Sequence, residues 1–284
     1  MRSRRTTSLS GRRVLITGAA RGIGAELARR LYQRGARVAI AGLEPDLLEQ
    51  VAATAGGGPW SECDVTDRDQ VEAAVRAAVE GLGGLDVVVA NAGVAAQLPL
   101  VGGNPEVMER TLAVNLMGVY NTLRAAGPHI SHPGGYALPV ASLAAAVHAP
   151  MLGAYNASKA GVEALGNTLR VELRASGAKV GVAYFAELDT DMTRRGFGTE
   201  AAGKMKLAGG RVAPLSVGID ALERGIARRA RRVYAPRWVG PLLPLRMLAQ
   251  PLVDRGGQLG LAGALETARA EDAPLTTSQP EVRP

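Results

Sequence analysis

From Arg12 onward, short runs of β-branched and aliphatic residues alternate with longer stretches whose apolar residues recur every three or four positions. That switching of period predicts βαβ units and a parallel sheet. Residues 12–18 (RRVLITG), 36–42 (ARVAIAG), 60–65 (WSECDV), 85–93 (LDVVVANAG), 134–142 (GGYALPVAS), 178–185 (AKVGVAYF) and 233–238 (VYAPRW) read as strands. The fourth is continuous in valine, as expected of a strand covered on both faces. Pro139 is awkward in the fifth, because proline cannot donate to a ladder. Helices are predicted at 26–35 with Gly35 as stop, 46–57, 67–83 with an aspartate cap, 153–173 and 216–232. Another runs over 105–127, with Pro105 in its first turn and Gly127 at its end.

The expected fold is therefore α/β, a Rossmann-like doubly wound parallel sheet in a single domain over 12–237, with an apolar C-terminal extension at 238–284. Residues 1–11 are basic and expected to be disordered, as is the last part of the extension. Residues 189–216, rich in glycine, read as a substrate loop or short helical lid. Residues 133–158 carry no charged side chain, a length that raises the question of a membrane span. Pro139, Pro150, His148, Asn156 and the glycines argue against one spanning helix, and a buried strand followed by an apolar loop accounts for the run. The apolar stretch 238–253 can dock on its own domain, on a partner subunit or, as a peripheral contact, on a membrane surface; docking on protein is favoured.

Composition narrows the partners. Hydrophobic residues at 47% and charged residues at 21% fit a soluble domain, and aromatics at 4% leave the core to Ala, Val and Leu. The net charge is +7, but the basic residues cluster at the N-terminus and in ARRARR (227–232) without interleaved aromatics, so no nucleic-acid partner is expected. Cys63 is the only cysteine, which excludes an intrachain disulfide and suits a reducing cytoplasm, the expected location. His129, His132 and His148 show no ligand spacing, and no metal is expected.

Two short stretches carry candidate chemistry. The first strand runs straight into TGAARGIGAELARRL, with glycines at 18, 22 and 24. Glycine there permits a tight turn, close approach of backbone to a pyrophosphate and close packing of the next helix, whose N-terminal N–H groups favour an anion. The second is YNASK, 155–159, which places Tyr155 and Lys159 on one helix face. Of 33 Lys and Arg residues only Lys159, Lys179, Lys204 and Lys206 are lysines, so a compact ammonium at 159 stands out in an arginine-rich chain.

Together with Thr17, the G-x-x-x-G-x-G spacing resembles the TGxxxGIG turn of the short-chain dehydrogenase/reductase family. Asn91, Ala92 and Gly93 match its NAG motif, Asn115 lies where it places a helix asparagine, and Ser142, Tyr155 and Lys159 complete its catalytic set. Each has a plain alternative: Ser142 can cap a turn, Asn115 can satisfy helix backbone, and Asp64 can be an N-cap. Jointly these alternatives require several coincidences.

The resemblance implies an NAD(P)-dependent oxidoreductase that moves a hydride between nicotinamide and a secondary alcohol or ketone. In it Tyr155 is the general acid/base, Lys159 lowers its pKa together with the positive nicotinamide of the oxidised cofactor and holds ribose hydroxyls, Ser142 orients the substrate oxygen, and Asn115 holds a water that links Lys159 to solvent. Thr17, Gly18, Arg21, Gly22, Ile23 and Gly24 would bind the cofactor from the turn. Asp64, Val65, Asn91, Ala92, Gly93, Leu188 and Thr190, with Tyr155 and Lys159, complete the cofactor set. Gly42 stands where NAD-preferring members carry an aspartate and Arg21 can meet a 2′-phosphate, so NADP is favoured over NAD; Leu43 and Glu44 count the other way. Phe185 and Ala186 replace the family's Pro-Gly pair. With Ser142 and Tyr155, the side chains of Leu143, His148, Met151, Leu152, Met192 and Phe197 would line an apolar pocket for a lipophilic small molecule. Family members assemble as dimers or tetramers through the helices that begin near Pro105 and Tyr155. The rival function is a dinucleotide-binding regulator or scaffold of the same fold.

Overall fold

The computed structural model describes residues 8–196, 200–204, 212–258, 260–271 and 275. Phe197 and parts of the 189–216 loop and of both termini therefore lie outside the described residues. Six parallel strands, β1 (Arg13–Thr17), β2 (Arg37–Gly42), β3 (Trp60–Glu62), β4 (Val87–Ala90), β5 (Tyr136–Pro139) and β6 (Lys179–Val180), form a sheet in the order β3-β2-β1-β4-β5-β6. The predicted sixth strand is split at Gly181 into β6 and β7 (Val182–Phe185), and β7 pairs with β8 (Arg232–Ala235). The break is local: a Cβ at Gly181 would stand 2.2 Å from both the Ala230 carbonyl and the Tyr136 hydroxyl. The ladder continues across it, since Gly181 N–H donates to Ala137 and Ala141 N–H to Ala183. Pro139 sits at the last position of β5, and the next residue, Val140, supplies the N–H that reaches Ala90.

Two apolar layers cover the sheet, and strand alternation assigns side chains to each. Val14 and Ile16 join Leu27 and Leu31 of α1 (Gly22–Gln33) and Leu222 on one face, while Leu15 joins Val71 and Leu82 of α3 (Arg68–Leu82) on the other. The connection between them, α2, spans Pro45–Thr54. The cap of α3 is Asp67, whose carboxylate accepts from the Asp69 and Gln70 N–H groups; Asp64, the alternative candidate, caps nothing.

The predicted 105–127 helix is three pieces: α4 (Pro105–Leu112), a π-helical turn (Ala113–Met117) and α5 (Gly118–Ile130), which continues past Gly127 through Pro128. α6 (Gly153–Glu172) follows the fifth strand, and the 189–216 region contains α7 (Asp191–Gly196) and α8 (Glu200–Lys204). α9 (Leu215–Arg228) ends earlier than predicted because Arg229 turns left-handed at φ 48°.

At the N-terminus the described structure begins earlier than expected. Leu9 is buried, and Gly11 N–H donates to Gly35. The extension folds as α10 (Val239–Leu242), α11 (Arg246–Gly256) and α12 (Leu261–Glu271). Ala264 of α12 packs on Met151 and Ala201, so part of the extension docks on its own domain. No helix among the described residues is long and apolar enough to cross a membrane.

This strand order places a topological switch between β1 and β4, whose following helices lie on opposite faces, and leaves a crevice beyond their C-terminal ends.

Candidate active site

At that crevice lies a cleft of about 400 Å³. Its floor is the turn after β1. Gly18 has φ +64°, and a Cβ there would stand 2.6 Å from Ala92 Cα, so the β1 and β4 ends meet with no room for a side chain. Asn91 locks this junction, its side-chain amide donating to the carbonyls of Thr17 (3.1 Å) and Gly18 (3.0 Å). Gly18, Arg21, Gly22 and Ile23 line the cleft, as do Asn91, Ala92 and Gly93. Thr17 and Gly24 do not. Thr17 is buried beneath, accepting the Asn91 N–H at 3.2 Å, and a Cβ on Gly24 would strike the Gly18 carbonyl at 2.4 Å. These two shape the turn rather than face its occupant.

The N-terminus of α1 has no capping side chain and no acid in its first turn. Unpaired N–H groups and the positive end of the dipole therefore suit an anion such as a pyrophosphate. Deeper in, a Cβ on Gly93 would stand 3.3 Å from Asn115 Oδ1 and 3.5 Å from Lys159 Nζ, space that glycine leaves open beside the ammonium. Asp64 and Val65 line the far end. Burial opposes ionisation of Asp64, but bonds from the Thr66 N–H and from Arg110 outweigh it and hold the carboxyl below its ordinary range. A nicotinamide dinucleotide fits this sequence of surfaces.

Arg21 differs from expectation. Its guanidinium is held by Glu44, with Asp191 4.0 Å away, so the cation expected to meet a 2′-phosphate already has a carboxylate in its fork.

Ser142, Tyr155 and Lys159 converge on the same cleft. Ser142 hydrogen-bonds the Tyr155 phenol. It also donates to the Phe185 carbonyl at 3.2 Å and accepts the Ala144 N–H at 3.1 Å, so it caps a turn as well. Lys159 is buried, lies 5.5 Å from the Tyr155 ring centre and donates to the Val140 carbonyl at 3.0 Å. Burial lowers its pKa to about 8, which leaves it mostly charged at neutral pH. Burial also raises the Tyr155 pKa, with the Ser142 bond opposing. In the protein without cofactor the phenol is therefore neutral and can donate a proton.

Asn115 does not line the cleft. It is fully buried in the π-helical turn, where its side chain accepts the Val94 N–H (2.8 Å) and donates to the Val94 carbonyl (2.9 Å) and to Ser158 (3.2 Å). It positions the strand end next to Lys159, and the π turn is a local distortion of a kind found at functional sites.

On the other wall, Leu143, Leu152 and Met192 line the cleft. Met151 does not: at φ 61° it turns away and packs with Ala201 and Ala264. His148 is bound to Gln250 through its backbone in both directions and lies outside the lining. Leu188 and Thr190 are in place, Leu188 buried and Thr190 accepting the Thr193 N–H at 3.3 Å. Sequence reasoning missed Val147, Glu187, Trp238 and Val253, which also face the cleft. For Trp238 and Val253 the signal was the apolar character of 238–253, which carries no spatial address; Val147 and Glu187 had none.

Comparison with known proteins agrees with this fold. The family described as short chain dehydrogenase matches residues 12–201. The chain is 37% identical over 177 residues to a D-threitol dehydrogenase of Mycolicibacterium smegmatis, covering 61% of this chain and 68% of that one. It is 35% identical to a mitochondrial borneol dehydrogenase of Lavandula x intermedia, covering 66% and 73%. A glycine betaine reductase of Emericella nidulans is 38% identical, but the chain spans only 15% of its length. Among solved structures, a short-chain dehydrogenase/reductase of Mycobacterium marinum superposes with a TM-score of 0.72 at 27% identity, covering 81% of this chain and 95% of that one.

Proposed function

The chain belongs to the short-chain dehydrogenase family, and on that premise we propose that its cleft binds a nicotinamide dinucleotide and interconverts a lipophilic secondary alcohol and its ketone. The observation that carries the proposal is the convergence of buried Lys159, Tyr155 and Ser142 beside the open space at Gly93. The bound dinucleotide supplies the hydride acceptor or donor. The turn 18–23 holds its phosphates, Lys159 its ribose hydroxyls, and Leu188 and Thr190 its amide end. In reduction Tyr155 gives its phenolic proton to the carbonyl oxygen, which Ser142 holds by a hydrogen bond; in oxidation the proton returns to Tyr155. Lys159, buried beside the phenol and mostly charged at neutral pH, stabilises the phenolate that reduction leaves behind. Asn115 acts at one remove by fixing Val94.

Leu143, Val147, Leu152, Met192 and Trp238 support an apolar substrate. The Arg21–Glu44 pair supports NAD over the NADP that the sequence favours, because a 2′-phosphate must displace a carboxylate from Arg21. The exposed apolar side chains Met117, Tyr120 and Val171 on the helices that follow Pro105 and Tyr155 support self-association there.

A panel of ketones and alcohols assayed with both cofactors tests this. Turnover is expected with apolar cyclic or long-chain compounds and a higher kcat/KM with NAD. Turnover confined to small charged compounds would sink the substrate class, and a strong NADP preference would sink the cofactor assignment.

A further inference from the structure

The outer face of α11 is built the wrong way round for a surface helix. On a helical projection, Arg246, Ala249, Gln250 and Val253 fall on one side and Met247, Leu248, Pro251, Leu252 and Arg255 on the other. The first side is docked: Arg246 pairs with Glu163 at 3.0 Å, Gln250 bonds His148, and Val253 enters the cleft lining. The second side carries the apolar residues and faces solvent, with Met247 82%, Leu248 72% and Leu252 75% exposed. The approach to the helix adds exposed Leu245 and Trp238.

Two exposed arginines border this face. Arg255 lies within it, and Arg237 is exposed next to Trp238. Neither arginine has a carboxylate partner among the described residues. The nearby Asp254 is engaged by the Gln250 side chain at 2.7 Å. A second copy would bring together two chains that each carry a net charge of +7, whereas a surface of anionic headgroups over an apolar layer satisfies both the arginines and the leucines.

We propose that the outer face of α11, with Leu245 and Trp238, seats the protein on an anionic lipid bilayer. The consequence concerns the cleft, because Trp238 and Val253 of this same segment line it. Seating would hold the substrate wall against the lipid, from which an apolar alcohol or ketone can enter without crossing water. This rests on the lipophilic substrate proposed above.

The test is flotation of the full chain with vesicles of phosphatidylcholine alone and of phosphatidylcholine with phosphatidylglycerol. The chain should float with the anionic vesicles, with affinity about tenfold or more lower on neutral ones and falling as salt is raised. Leu248→Glu/Leu252→Glu lies outside the cleft and should lower the anionic-vesicle affinity by about tenfold or more, with an unchanged thermal midpoint as the control for folding. Arg255→Glu should lower it less and flatten the salt dependence. Wild-type protein that stays in solution with anionic vesicles overturns the proposal, as does undiminished flotation of the double variant. A wild type that fails to float but loses its oligomeric state in the double variant also overturns it, assigning the face to a second copy. Flotation is read without turnover, so an inactive chain that floats counts against the enzymatic reading alone.

Discussion

On the wall formed by the ends of β1 and β4, the cleft is made of backbone. Gly18 presses against Ala92, Asn91 ties the two strand ends together, and Asn115 clamps Val94 from a π turn. The opposite wall is made of side chains drawn from 143–152, 186–193 and the C-terminal segment, joined by contacts such as the paired hydrogen bonds of Gln250 to His148. The first wall must fit an unvarying ligand and tolerates no added atom. The second can exchange one apolar side chain for another, which is how one fold accommodates different substrates.

The contrast can be attacked from either side. Ser142→Ala, at the meeting of the two walls, should lower kcat by about 10²–10³ with little change in dinucleotide affinity, because it removes the bond to Tyr155 and to the substrate oxygen. Gly18→Ala should destabilise the protein by about 2–4 kcal/mol, since it combines positive φ with a 2.6 Å clash against backbone, and should abolish dinucleotide binding measured by calorimetry. Asn115→Ala should cost about 2–3 kcal/mol in urea unfolding, because it strands the Val94 N–H and carbonyl in a buried site.

A smaller effect follows from Lys159. Its folded pKa of about 8 lies below its ordinary value of 10.5, so between those values the unfolded chain binds the proton and the folded chain does not. Stability from this group therefore rises with pH across that window, with a slope of at most about 1.4 kcal/mol per pH unit. The difference in unfolding free energy between wild type and Lys159→Met should show that slope. A flat difference would mean that burial does not depress the lysine. Smallest of all, Met192→Ala should shift KM severalfold among substrates and change stability by less than about 1 kcal/mol; a loss comparable to that of Gly18→Ala would erase the distinction between the walls.

The same division explains what the sequence disclosed. Strand period and the glycine turn are local patterns, and they located the parallel strands and the residues of the backbone wall. What escaped was decided by distant packing. The π turn at Asn115 has no composition signal, and the split at Gly181 depends on the Tyr136 hydroxyl and the Ala230 carbonyl arriving from elsewhere. Met151 looked like pocket lining from its neighbours, yet a left-handed backbone turns it toward Ala201 and Ala264. Arg21 was legible as a cation near the phosphate turn, but its pairing with Glu44 follows from how α1 and the end of β2 come together.

The central claim is that Tyr155, neutral in the resting protein and backed by Ser142 and Lys159, moves the proton that accompanies hydride transfer. Single-turnover mixing of Tyr155→Phe with reduced cofactor and a ketone that the wild type reduces tests it directly. The account predicts unchanged cofactor affinity and a rate of reduced-cofactor oxidation lower by about 10³ or more. A phenylalanine variant that oxidises the cofactor at the wild-type rate would contradict it.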